Sequence, residues 1–82
     1  MADLVLLGKP DCQLCHEMAT VVAPVLAELG LVLVERDVRD DPEMLRRYRL
    51  DIPVLLLGGV ELARHRITVE ELRLRLASHP MR

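Results

Sequence analysis

The fold is decided by residues 4–15, which read LVLLGKPDCQLC. Positions 4–7 form a short, continuously apolar run, which is typical of a strand buried on both faces, and positions 8–11 have the composition of a loop. The two cysteines of the chain follow, with Cys12 at the start of a helical pattern and Cys15 within it. The sequence therefore predicts a thiol pair at a strand-to-helix junction, where a thiolate can be stabilised.

The pattern that follows the cysteines predicts a long first helix over residues 13–29. Its apolar positions recur at spacings of three and four, so they form one core-facing stripe, and Gly30 supplies a C-terminal stop. Pro24 lies inside this helix and lacks a backbone N–H, so we expect a kink there. The apolar run over residues 31–35 predicts a second strand.

The middle of the chain predicts a short helix and then a hairpin. Asp41 followed by Pro42 is typical of an N-cap and a first helical position, for a helix that ends at about residue 49. A glycine pair at 58–59 separates the apolar run 54–57 from a second extended segment, 60–65. Two extended runs joined by two glycines indicate a β-hairpin.

The last helix is predicted by a capping box and an apolar stripe. Thr68 with Glu71 three residues later is the capping pattern, and Leu72 and Leu76 lie on one helical face. The element order is then βαβαββα, in which a crossover gives two parallel strands and the hairpin extends the sheet. We expect an α/β fold with a four-stranded mixed sheet flanked by helices, and a single domain over residues 1–82.

Composition and charge argue against several classes of function. The net charge is −2 with 29% charged residues, which gives no general reason to expect nucleic acid or a membrane surface as a partner. No apolar run approaches the ~20 residues that span a bilayer, and the start of the chain lacks the pattern of a secretory signal. We expect a monomer in the cytoplasm. In that reducing compartment, a closely spaced cysteine pair is more often catalytic or metal-binding than a lasting structural disulfide.

The cysteine pair is the candidate reactive site. The N–H groups and the dipole at a helix N-terminus lower a thiol pKa from ~8.5 into the range of roughly 3.5 to 7.5. Cys12 lies at the mouth of the helix and Cys15 about one turn inside it, so Cys12 is the predicted nucleophile and Cys15 the resolving thiol. Lys9 supplies a nearby cation for a thiolate or a substrate carboxylate. Asp11 would raise the pKa of Cys12 unless it turns away to cap the helix.

Two other classes of function remain open at this point. Zinc usually takes four ligands at structural sites, and the only nitrogens left are those of His16, His65 and His79, none at the spacing of a zinc motif. One alternative is therefore a binding module that holds an iron–sulfur cluster or a metal between two subunits. The other is a redox-inactive interaction domain with packed cysteines. We predict no metal ligand and no bound cofactor.

Three features together resemble a known family. They are the motif Lys9-Pro10-Asp11-Cys12-Gln13-Leu14-Cys15, the βαβαββα order, and Ile52-Pro53-Val54 before the third strand. These features are similar to those of glutaredoxins in the thioredoxin superfamily, and most closely to those of the small glutaredoxin-like proteins of bacteria. The resemblance implies a thioredoxin-like fold and thiol–disulfide oxidoreductase activity on protein or glutathione mixed disulfides, with glutathione as the expected reductant and co-substrate.

The resemblance also implies roles for residues far from the cysteines in sequence. Pro53 would be a cis-proline that faces the pair, and the backbone of Ile52 would bind the peptide part of the substrate. The chain departs from the family pattern at residues 13–14, where glutaredoxins carry an aromatic residue, and it lacks their Gly-Gly-x-Asp segment before the last helix. In place of that segment, Thr68 and Arg66 are expected to receive a glutathione carboxylate.

Overall fold

The computed structural model describes residues 4–78. Along the chain the elements are β1 (Leu4–Gly8), α1 (Gln13–Glu28), β2 (Leu33–Asp37), a short 3₁₀ turn (Val38–Asp40), α2 (Pro42–Tyr48), β3 (Val54–Leu57), β4 (Val60–Arg64) and α3 (Val69–Ser78). The predicted order βαβαββα is therefore confirmed, and the 3₁₀ turn is an addition to it. Within the described residues, no helix has the length and apolar character needed to cross a membrane.

The strands form one mixed sheet in the order β2-β1-β3-β4. β1 is parallel to β2, with Leu4 opposite Leu33, and antiparallel to β3, with Leu7 opposite Val54. β4 pairs antiparallel to β3 with an irregularity at residues 55–56. The predicted α/β class and four-stranded mixed sheet are thus confirmed, and β1 and β3 are its central strands.

Side chains on the central strands alternate between two hydrophobic clusters, because successive residues of a strand point to opposite faces. On one face, Leu4 and Leu6 pack in the cluster that includes the buried residues of α1 and α3. On the other face, Leu7 packs with Val54 and Leu56, and Met44 and Tyr48 of α2 cover them. Each fully buried aliphatic side chain contributes about 1.5–3 kcal/mol, so the sheet is held from both sides.

The second strand begins two residues later than the sequence pattern indicates. β2 covers Leu33–Asp37 instead of residues 31–35 because the end of α1 uses the intervening residues. Gly30 has a φ of 70°, and the Leu31 N–H donates to the Leu26 carbonyl at 2.8 Å, which closes the helix. A local pattern of apolar residues does not show how many residues after a helix are used to close it.

The first helix continues through Pro24 without interruption and ends at Glu28, with Leu29 as its C-cap. Pro24 deprives the Thr20 carbonyl of its helical partner, but both residues are exposed, so water can take the place of the missing donor. The helix is therefore not broken at Pro24.

The other two helices begin where their caps predict. The Asp41 carboxylate accepts from the Glu43 N–H at 2.9 Å. The Thr68 hydroxyl accepts from the Glu71 N–H at 3.1 Å, which confirms Thr68 as the cap. The Glu71 carboxylate accepts in return from the Thr68 hydroxyl, at 3.1 Å. β4 ends at residue 64, one residue earlier than predicted, because His65 turns out of the extended conformation with a φ of 67°.

Candidate active site

The cysteine pair occupies the junction between β1 and α1, as the sequence predicts. Cys12 is the N-cap of α1 with an extended backbone (φ −99°, ψ 111°), and Cys15 lies in the first turn. The two residues are joined by a disulfide, with their Cα atoms 5.2 Å apart. Cys15 is 5% exposed, whereas Cys12 is only half-buried, so Cys12 is the sulfur that solvent reaches more easily.

Backbone N–H groups converge on Cys12. The Cys15 N–H donates to Cys12 Sγ at 3.2 Å, and the His16 N–H donates to the Cys12 carbonyl at the same distance. The sulfur therefore occupies the acceptor position that a Ser or Asp oxygen takes at an ordinary N-cap. Asp11 does not cap this helix. A negative charge on Cys12 Sγ would lie at the positive end of the α1 dipole, where N–H donors stabilise it.

A cavity of ≈ 180 Å³ lies on the β2 side of the cysteines. Its lining includes Lys9, Cys15 and Arg36, so Lys9 borders the same cavity as the predicted resolving cysteine. Asp37 borders the same cavity, and its carboxylate is held by Arg39 through Nε–Oδ1 and Nη2–Oδ2 contacts of 3.0 and 2.6 Å. These hydrogen bonds lower the pKa of Asp37 to about 2, so its charge stays paired with Arg39.

Ile52 and Pro53 lie at the same end of the sheet as the cysteines. Leu7 is opposite Val54, so Pro53, which precedes Val54, lies at the end of β1 from which the loop to Cys12 leaves. The Ile52–Pro53 peptide bond is cis, as the resemblance implies, and Pro53 is buried. The predicted substrate-contact segment is therefore brought next to the loop that carries Cys12.

The segment at Pro53 is held by residues that sequence analysis missed. The His65 N–H donates to the Pro53 carbonyl at 2.8 Å, and Arg64 Nη1 lies 3.3 Å from the Asp51 carboxylate. Arg64 also hydrogen-bonds Glu61 at 2.7 and 2.6 Å, which raises the pKa of Arg64 and lowers that of Glu61. The end of β4 thus fixes the segment before β3. No local sequence pattern predicts the contacts between these two segments.

Arg66 and Thr68 border a second groove, of ≈ 390 Å³, on the opposite side of α1 from Lys9. Leu14, from between the cysteines, also lines it. Arg66 Nη1 lies 4.0 Å from Glu17 Oε1, and the Thr68 hydroxyl is engaged in the capping box. The structure therefore brings these two residues to the edge of the site, but it separates them from Lys9.

The two thiols are potential metal ligands as well as redox groups. Across residues 4–78, no three or more His, Cys, Asp or Glu side chains form a group that could hold a metal ion. His79, one of the nitrogen candidates, lies outside the described residues. Cys12 and Cys15 by themselves supply two of the four ligands that structural zinc takes.

The sheet order and the cysteine pair at the start of α1 define a thioredoxin-like α/β domain. Within that class, the chain belongs to the family described as Glutaredoxin-like domain (DUF836), whose sequence model matches residues 3–77. This match confirms the resemblance drawn from the motif around Cys12 and from the residues around Pro53.

Solved structures of other proteins share this fold. A structural-genomics target protein from X. campestris is 26% identical, over 94% of this chain and 99% of its own, with a TM-score of 0.70. A malarial protein matches at 18% identity over 99% of both chains, with a TM-score of 0.73. Thioredoxin-2 of the malaria parasite, described as a component of its protein secretion machinery, matches at 21% identity over 95% of this chain and 84% of its own, with a TM-score of 0.67. The last two likenesses concern the fold alone.

Proposed function

We propose that this domain is a thiol–disulfide oxidoreductase, with Cys12 as the nucleophile and Cys15 as the resolving thiol. The observation that carries the proposal is the position of Cys12 Sγ, which caps α1, accepts the Cys15 N–H and is bonded to the partner sulfur. That N–H interacts more strongly with a thiolate than with a thiol, because a charged acceptor strengthens a hydrogen bond. This hydrogen bond therefore favours the thiolate, which is the form of cysteine that attacks a disulfide.

The first step is an exchange between Cys12 and a substrate disulfide. The Cys12 thiolate attacks one sulfur of that disulfide, a new bond forms to Cys12, and the substrate sulfur–sulfur bond breaks. The second substrate sulfur leaves with the electron pair as a thiolate and takes a proton from water. The half-buried position of Cys12 gives a substrate access to this sulfur, whereas Cys15 is nearly covered.

The second step is intramolecular. The Cys15 thiolate attacks Cys12 Sγ, the Cys12–Cys15 disulfide forms, and the bond to the substrate breaks, so the substrate leaves with two electrons gained. The product on the protein is the disulfide found in the structure. Two thiols of an external reductant then restore the dithiol, and glutathione is the reductant we propose.

Substrate contacts are proposed on both sides of the cysteines. The backbone of Ile52, beside Pro53, is the proposed contact for the peptide part of a disulfide substrate, and Lys9 is the proposed cation for its negative groups. Arg66 and Thr68 are the proposed contacts for a glutathione carboxylate. Their present partners, Glu17 and Glu71, are acidic, so a carboxylate would bind there only by competing with them.

Turnover of a glutathione mixed disulfide, with glutathione as the reductant, tests this proposal. Cys12→Ser is expected to abolish exchange, and Cys15→Ser is expected to trap or slow a mixed disulfide on Cys12, detectable by mass spectrometry. Equal residual activity in the two variants would contradict the assigned roles. Visible absorbance of freshly prepared protein would point to a bound cluster instead.

A further inference from the structure

We infer that Gly8 is a positioning residue, which leaves the space that the Cys15 sulfur needs in order to meet Cys12; this inference rests on the proposed exchange chemistry. Gly8 is the last residue of β1, and it is buried. Glycine in a strand is unfavourable, because it loses more backbone entropy on folding than other residues and has no side chain to pack. Its presence there therefore needs a reason.

Backbone conformation does not supply that reason. Of the four glycines, Gly30, Gly58 and Gly59 have φ values of 70°, 57° and 84°, which side chains rarely adopt. Gly8 is not among the positive-φ residues, and it continues the ladder with β2 opposite Asp37. An alanine at this position would meet no obstacle from its own backbone.

The reason lies in the contact with Cys15. Alternation along β1 places position 8 on the same face as Leu4 and Leu6, the face that α1 covers. A Cβ atom on Gly8 would lie 2.8 Å from Cys15 Sγ and 3.0 Å from Cys15 Cβ. Both distances are shorter than carbon–sulfur and carbon–carbon contact allows, so a side chain at position 8 displaces the resolving sulfur.

The direction of that displacement follows from the surroundings. The cavity of ≈ 180 Å³ on the β2 side of the pair borders Gly8 and Cys15, and Cys12 is not part of its lining. In the dithiol form, a Cys15 sulfur pushed off Gly8 can rotate into this cavity. In the disulfide form it cannot rotate away, because it is bonded to Cys12. A methyl group at position 8 therefore destabilises the disulfide more than the dithiol.

The Gly8→Ala variant tests this directly in two experiments. The first measures the dithiol–disulfide equilibrium in glutathione redox buffers, and the second measures single-turnover reactions with a mixed disulfide. The equilibrium constant for forming the Cys12–Cys15 disulfide is expected to fall at least tenfold, equivalent to about 30 mV in potential. Resolution of the mixed disulfide is expected to slow by a similar factor, while the initial attack by Cys12 changes less than twofold. An equilibrium constant within twofold of wild type would overturn the inference.

Gly30→Ala is the matched control. Its φ of 70° makes the substitution strained, yet a Cβ there would meet nothing within 4 Å, so it destabilises the fold without touching the cysteines. The control is expected to lower the melting temperature and leave the redox equilibrium unchanged. A shift in Gly30→Ala equal to that in Gly8→Ala would show that general loss of stability is the cause, and would sink the inference.

A second pair of variants keeps the test valid if Gly8→Ala folds poorly. Cys15→Ala removes the sulfur, so Gly8→Ala should lower the melting temperature at most half as much in that background as in the wild-type background with its disulfide formed. An equal loss in both backgrounds would refute the role of the sulfur contact. The redox equilibrium needs only the two cysteines, so a wild-type protein that forms the disulfide but fails to turn over substrate would refute the proposed function and leave the Gly8 test intact.

Discussion

Two helix N-termini in this small domain have opposite chemical characters. At α3, Thr68 and Glu71 cap each other, and Glu70 and Glu71 place negative charge in the first turn. At α1, the capping atom is the sulfur of Cys12, and the first turn holds no acidic residue. Acids in a first turn compensate the helix dipole. The positive end of the α3 dipole is therefore compensated by acidic side chains of the protein. At the start of α1, the Cys12 sulfur is the group placed to carry a compensating negative charge.

The comparison explains why one helix start stabilises and the other reacts. An oxygen cap with a reciprocal acid contributes about 0.5–2 kcal/mol to stability. A sulfur cap is a poorer acceptor when it is a thiol, and it gains most when it is ionised. The same backbone geometry thus supports structure at α3 and, in our proposal, thiol chemistry at α1.

The largest expected effect comes from making the start of α1 resemble an ordinary capped helix. Cys12→Asp should abolish disulfide exchange, because no nucleophile remains. It should also stabilise the fold by about 1 kcal/mol relative to Cys12→Ala, because the carboxylate accepts the N–H that the sulfur now accepts. Urea unfolding of the two variants under reducing conditions measures the difference, and an aspartate variant no more stable than the alanine variant would show that position 12 is not a capping position.

A smaller change adds an acid beside the sulfur instead of replacing it. Gln13→Glu places a carboxylate in the first turn of α1, where it compensates the dipole and repels a thiolate on Cys12. Alkylation of reduced Cys12 by iodoacetamide, measured at a pH low enough that the thiolate is the minor form, should slow about two- to fivefold, since such charges are worth roughly 0.3–1 kcal/mol. Ala23→Glu, exposed on the same helix but far from its start, is the control and should leave the rate unchanged. Equal rates in wild type and Gln13→Glu would contradict the proposed role of the dipole.

The converse substitution weakens the start of α3. Thr68→Ala removes the acceptor for the Glu71 N–H and should cost about 1 kcal/mol in the free energy of unfolding, measured with urea. The rate of Cys12 alkylation should not change, because the Thr68 hydroxyl makes its hydrogen bonds to Glu71 at the start of its own helix. Thr20→Ala, which removes an exposed hydroxyl bonded to the His16 carbonyl inside α1, is the control and should cost less. A loss of Cys12 reactivity in Thr68→Ala would mean that the two ends are coupled.

The smallest effect concerns Asp37, an acid near the cysteines whose charge is taken up by Arg39. Its folded pKa is lowered to about 2 by the hydrogen bonds to Arg39, so the pair stabilises the fold above the ordinary pKa of 3.8 and loses that contribution as the pH falls through about 2. Asp37→Asn should lower the melting temperature slightly at pH 7, and the difference from wild type should shrink between pH 4 and pH 2. A difference that stays constant over this range would rule out the ion pair as its source.

Several features could be predicted from the sequence because they depend on neighbouring residues. The caps at Asp41 and Thr68 act within one helical turn, and the hairpin glycines act within the turn itself, so the element order follows from local composition. The thiol pair at the start of α1 is local in the same sense. The boundary of β2 was predicted wrongly because the bond from Leu31 to Leu26 depends on how α1 closes.

The sequence by itself determined the order of helices and strands and the place of Cys12 at a helix start, since each depends on residues close together in the chain. It also determined the family, through the combination of that order with the motif around Cys12 and the residues around Pro53. The tertiary structure alone decided that Cys15 packs on Gly8, that His65 holds Pro53, and that Arg66 faces Glu17. The physical reason is that these contacts join residues on different elements. Such distances are fixed by how the sheet and helices pack, and no local pattern encodes them.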